Sequence, residues 1–132
     1  RGEAPQVLPK GVYVVSNGNL SDDWEKTKHL RKRFTQELLP MLQLKQTPEA
    51  DIRHEVWDIL EDERKILPEL LPDTGIDQDF EQLLSSTFIQ SPVYGTRCSN
   101  LLRMFSNQID WIEKTQQGEH KGELIVEKLE LI

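Results

Sequence analysis

Apolar residues recur along this chain at two different spacings, and the change between them marks where helices give way to strands. Trp24, Thr27, Leu30, Phe34, Leu38 and Met41 fall three and four positions apart. That spacing predicts one helical stripe turned toward a core, with a charged face opposite. Ser21 or Asp22 offers the N-cap, and the helix is expected to run to about Leu39. A second helix starts at Thr47-Pro48-Glu49, with Thr as cap and Pro at the first helical position. Its stripe is Ile52, Val56, Ile59 and Leu60. Pro68, Pro72 and the stretch Leu70-Leu-Pro-Asp-Thr-Gly75 then read as a turn-rich connection. A short helix follows from about Asp77 to Leu84, carrying Phe80, Leu83 and Leu84 on one side.

The rest of the chain reads as strands. Gly11 to Ser16 (Gly-Val-Tyr-Val-Val-Ser) is a short apolar run, expected to be a strand buried on both faces. It ends in the turn Asn17-Gly18-Asn19, where Gly18 tolerates a positive φ. Ser86–Gln90, Gly95–Phe105, Ile109–Thr115 and Gly122–Leu131 are four further strands, with turns at Asn107-Gln108 and Gln117-Gly118-Glu119. A strand, two or three helices and an antiparallel run of strands make an α+β domain spanning residues 1–132. A sheet of this kind needs a second layer over its apolar face, and the strands are too few for a closed sandwich. Together with a start at Arg1 in place of Met, this predicts that a partner half precedes the chain.

Composition narrows the function classes. The formal net charge is −7, from 16 basic and 23 acidic residues, so general nucleic-acid binding is disfavoured. The one basic cluster, Lys26 to Arg33, reads as the solvated face of the first helix. No run approaches the roughly 18 apolar residues of a membrane span. Cys98 is the single cysteine, which leaves no internal disulfide and no cysteine-based zinc site. His29, His54 and His120 are scattered without helical pairing, so neither a metal nor another cofactor is expected. A reducing, cytoplasmic setting fits this residue usage.

An ordered set of short motifs carries a family resemblance. Gly11-Val-Tyr-Val-Val-Ser-Asn17, followed by Leu20, Trp24 and Lys26, resembles the strand and helix start of the NRDE family, also known as the transport and Golgi organisation protein 2 group. Asp23 stands where Pro is common in relatives. Leu71-Pro-Asp-Thr-Gly75, Ser86-Thr-Phe-Ile89 and Tyr94-Gly-Thr-Arg-Cys-Ser99 resemble later family segments, with Cys98 in place of a usual Ser. The opening Arg1-Gly2-Glu3 looks like the tail of an element preceding the first strand. The Asn-Arg-Asp-Glu motif that names the family is not in the chain, and neither is the amino-terminal Cys of relatives. The resemblance therefore implies the carboxy-terminal half of such a protein.

That family is similar to the N-terminal-nucleophile hydrolases, whose fold is a four-layer αββα sandwich. The resemblance implies helices of an outer layer and strands of the inner sheets. In the amidases that such proteins resemble, a processed amino-terminal Cys is the nucleophile and an Asn supplies an oxyanion donor. Position by position, Asn17 corresponds to that Asn and Arg97 to a strand-borne Arg beside the nucleophile, so both are catalytic candidates. Ser16 and Tyr94 are candidates for lining a ligand site. Cys98, on the sheet face opposite Arg97, is expected to be a buried, inert thiol. Two functions stay open: an amide hydrolase whose nucleophile lies in the missing half, and a non-catalytic carrier of haem or acyl lipid. The expected partners are that half, a small amide, lipid or haem ligand, and a second copy docked through exposed sheet.

Overall fold

The computed structural model describes residues 4–5, 7–16 and 18–131. The helical stripe beginning at Trp24 folds as α1 (Glu25–Arg33), a π-helical turn (Phe34–Leu38) and α2 (Leu39–Gln43), continuous along the chain. Pro40 explains the wider turn. It has no N–H to close the i−4 hydrogen bond, and its ring crowds the carbonyl that would have received it. The π turn keeps Phe34 and Leu38 on the core side as the helix passes this point. Trp24, not Ser21 or Asp22, occupies the N-cap and makes no side-chain cap bond. Thr27 is buried instead, its hydroxyl bonding back to the Trp24 carbonyl at 2.9 Å.

The next helix, α3 (Glu49–Leu60), has Pro48 at its N-cap, one residue later than expected. Thr47 turns away from it and donates to the Met41 carbonyl, tying the two helices together at their junction. Helix α4 (Gln78–Leu84) keeps close to its expected bounds, with Asp77 at the N-cap and its carboxylate accepting from the N–H groups of Asp79 and Phe80. The turn before it is fixed from both ends. Gly75 adopts φ 80° and donates to Asp73, while the Glu81 carboxylate accepts from both the backbone and hydroxyl of Thr74.

Strands β1 (Cys98–Met104), β2 (Gln108–Thr115) and β3 (Leu124–Glu130) form one antiparallel sheet in the order β1-β2-β3. Leu101 lies opposite Ile112, and Ile112 opposite Val126, so these three share a face. The helices cover that face over β1 and β2. Leu38, Ile52, Val56 and Ile59 form the buried cluster, with Leu30, Phe34, Trp57, Leu60 and Leu101 packed around it. Ion pairs rim it, Arg103 with Glu49 at 2.7 Å and Lys114 with Glu61. An α+β architecture is thus present.

Two expected strands do not form. Ser86–Gln90 contributes only one bridge, Gln90 to Gly95. The Ile89–Thr96 turn is closed by local bonds instead: the Thr96 N–H reaches the Ile89 carbonyl, and the Thr96 hydroxyl accepts from Ile89. Gly95 is required there, because a Cβ at this position would lie 2.8 Å from the Ile89 carbonyl oxygen. Gly95→Ala is expected to destabilise the chain by about 1–3 kcal/mol, the usual cost of overpacking, read as a lowered midpoint in urea unfolding.

Gly11 to Ser16 is the other. Val12, Val14 and Ser16 are half-buried while Tyr13 and Val15 are exposed, the alternation of a strand. Yet no backbone hydrogen bond joins this run to another segment among the described residues. One side only is covered, so the expectation of burial on both faces is corrected. A Cβ at Gly18 would meet the Asp22 carboxylate.

Candidate functional site

Two clefts meet at Tyr94. The first, of about 310 Å³, lies between the start of α1, the Ile66–Ile76 connection and the end of α4. Ser16 and Tyr94 both line it, so the fold brings the two proposed ligand-lining residues to one opening. The sequence order is what makes this possible. Ser16 closes the alternating run before α1, whereas Tyr94 sits on the tight turn held by Ser91, whose hydroxyl donates to the Tyr94 carbonyl and accepts from its N–H. Phe80 of α4 steadies the Tyr94 ring, with centroids 6.2 Å apart and planes inclined by 58°.

Trp24, Leu70, Leu71, Ile76 and Leu84 give this cleft apolar walls. Lys26 is its cation. The Lys26 ammonium donates to the Leu84 carbonyl at 2.9 Å, and no carboxylate lies within ion-pairing distance of it among the described residues. Burial pulls its pKa below the ordinary lysine value, as low-dielectric surroundings disfavour the charged form. Sequence reasoning had placed Lys26 within a solvated basic face. The signal that separates it from its neighbours is its position two residues after Trp24; bases beyond it pair with acids. Lys28 meets Glu25 and Asp23, Arg31 meets Asp23, and Arg33 meets Glu37, Asp58 and Asp62.

The second cleft, of about 500 Å³, is polar and runs from Phe88 to Arg97 and across to Gln116–Gly118 and Lys121. Arg97 lines it, just ahead of β1, and is exposed. Water therefore solvates its guanidinium and no buried counter-ion is needed. Asn17, the other catalytic candidate, lies outside the described residues. Ser16 and Arg97 line different clefts, with Tyr94 on the boundary of both.

Cys98 is exposed, which corrects the expectation of a buried thiol. No layer of described residues covers its sheet face, and the Asn100 side-chain amide donates to its sulfur at 3.6 Å. His29 bonds to Asp62 and His120 to Glu123, both at 2.9 Å. Among the described residues no group of three or more His, Cys, Asp or Glu is placed to hold a metal ion, and no helix is long and apolar enough to cross a membrane.

The family model described as Transport and Golgi organisation 2 matches residues 1–118, and the chain belongs to that family. The match takes in the whole lining of the first cleft and all of the second but Lys121, and it ends ahead of β3. No curated protein matches the chain.

Proposed function

We propose that this member of the family is the ligand-binding carboxy-terminal half of an αββα sandwich, holding a small amphipathic molecule of the acyl-lipid or haem class. The observation that carries this reading is the cleft lined by Ser16, Lys26 and Tyr94. Apolar walls with a few converging polar groups are the usual make-up of a small-molecule site, and its volume lies at the lower end of the roughly 300–1,000 Å³ such sites occupy. The amide-hydrolase reading is second and rests on Arg97, whose exposed guanidinium faces the neighbouring polar cleft. In that reading the nucleophile comes from the amino-terminal half, and the setting is cytoplasmic.

The partner half is supported by unpaired backbone on two rails. The Gln116 N–H bonds to the Arg97 carbonyl and the Phe105 N–H to that of Gln108. With strict alternation, the N–H and C=O groups of Asn100 and Leu102 then point to the outer edge of β1. Between that edge and Gly11–Val15 lies a third cleft of about 590 Å³, floored by Phe34, Leu38, Val56 and Ile59. Strands from the partner half are suited to this gap, since an extended segment satisfies both rails at once.

Trp24 reports on the ligand cleft directly. Titration with a fluorescent fatty-acyl probe or with haem is expected to quench the emission of wild type, and far less that of Trp24→Phe, which keeps Trp57 and Trp111. The chain alone is expected to hydrolyse no amide, with Cys98→Ser indistinguishable from wild type. Absence of any quenching would remove the carrier reading; amide turnover that disappears in Cys98→Ser would instead make the chain an enzyme by itself.

A further inference from the structure

The Lys26 cleft holds one cation and two carboxylates, and their partners decide what it can receive. Glu25 is already matched by Lys28 at 2.7 Å. Glu81 spends its Oε1 on the N–H and hydroxyl of Thr74. Neither reaches Lys26. An ammonium has three donors, and Lys26 gives one to the Leu84 carbonyl. A half-buried positive charge is thus left among Trp24, Leu71 and Leu84 with no counter-ion among the described residues. Such a charge is costly unless something negative joins it.

We infer that the ligand of this cleft carries a single carboxylate, received by Lys26, with an unbranched apolar chain laid along the Leu70–Ile76 wall. This rests on the cleft being the ligand site and narrows the ligand class. One cation serves one anionic group; a second, as in a dicarboxylate or a diphosphate, would meet Glu81 with no base to pair it. The apolar lining excludes small polar acids for the opposite reason, since they would bring nothing to bury against Leu70, Leu71 and Ile76. The Thr74 and Ser85 hydroxyls at this opening already donate to Glu81 and to the Gln82 carbonyl; those of Tyr94 and Ser16 can donate to a carboxylate oxygen.

Calorimetric titration with octanoate, its neutral counterpart octanol and the eight-carbon dicarboxylate suberate tests this. Octanoate is expected to bind wild type at least about tenfold more tightly than octanol or suberate, the scale of one charge-assisted hydrogen bond. Lys26→Met is expected to bring octanoate down to the affinity of octanol while leaving octanol unchanged. Lys26→Arg is expected to restore the preference, and circular dichroism establishes that both variants are folded. Equal binding of octanol and octanoate by wild type would overturn the carboxylate assignment but leave the cleft as a ligand site. So would an unaltered octanoate affinity in folded Lys26→Met. Failure of both octanol and octanoate to bind would remove the ligand site itself.

Discussion

Asp62→Asn is expected to lower the unfolding free energy by roughly 3 kcal/mol, on the scale found when one partner of a buried ion pair is removed. Asp62 sits just beyond α3 with its side chain almost wholly buried. Its carboxylate meets His29 at 2.9 Å, Arg33 at 3.4 Å and the Arg64 backbone N–H at 2.9 Å. Its own carbonyl accepts from Phe88. One residue therefore joins α1, the end of α3 and the segment after α4. Asparagine keeps the shape but loses the charge, leaving Arg33 with its more exposed partners Glu37 and Asp58.

The effect has a pH signature. Burial pushes the Asp62 carboxyl upward, but the His29 and Arg64 hydrogen bonds and their charges outweigh it, and the net shift is downward. A carboxyl depressed by folding contributes stability that is complete above its unfolded value, about 3.9, and is lost as pH falls through the folded value. The gap between wild type and Asp62→Asn is thus expected to shrink as pH falls below about 4. Chemical denaturation at several pH values measures it. A gap that widens toward acid would contradict the assignment.

The second large effect concerns association. On the sheet face away from the helices, Leu102 is 59% exposed, Met104 71%, Trp111 40%, Ile125 51% and Leu129 56%. The register puts Met104 opposite Ile109 and Ile109 opposite Leu129, with Leu102 opposite Trp111 in the next row. Met104, Ile109, Leu129, Leu102 and Trp111 form one continuous apolar area at one end of the sheet, with Ile125 beyond it opposite Glu113. Contiguous patches of this kind mark interaction surfaces, and both β1 and β3 are edges open to further pairing. Wild type is expected to self-associate at micromolar concentration, or to be captured by the partner half. Leu102→Lys with Leu129→Lys is expected to sediment as a monomer with an unchanged far-ultraviolet spectrum. Identical monomeric sedimentation of both proteins would show that this face needs no cover.

Most of the architecture was legible because it depends on local rules. Periodicity located α3 and its buried Ile52, Val56 and Ile59, and the short helix expected from about Asp77 to Leu84 forms as α4. The pattern of Gly95–Phe105, Ile109–Thr115 and Gly122–Leu131 resolved into the three strands, the first and third shortened at their ends and the second begun one residue earlier. What failed depends on partners distant in sequence. Gly11–Ser16 has the alternation of a strand, but a strand is defined by a neighbour that no local pattern supplies. Cys98 was expected to be buried for the same reason: alternation assigns a residue to a face, while only the tertiary packing decides whether that face is covered.

The candidate site divides along the same line. Motif order put Ser16 and Tyr94 among the lining candidates, and the structure sets them around one cleft. Lys26 stood in the family motif but was read with the solvated basic cluster, because a charge count treats every base of a cluster alike. Its environment is set by Leu84, 58 positions along the chain.

The π turn at Phe34–Leu38 has an implication for how this sequence tolerates change in length. Such a turn is one residue longer than the α-helical turn it replaces while leaving the flanking segments facing the same way. Thr35, Gln36 and Glu37 therefore mark a seam in the helix, a place where an insertion or a deletion alters the count of residues without rotating Leu30 or Leu38 out of the core. Elsewhere in α1 or α3 a single added residue would swing everything beyond it by about 100°. Numbering offsets between this chain and longer or shorter homologous helices are expected to collect at that seam.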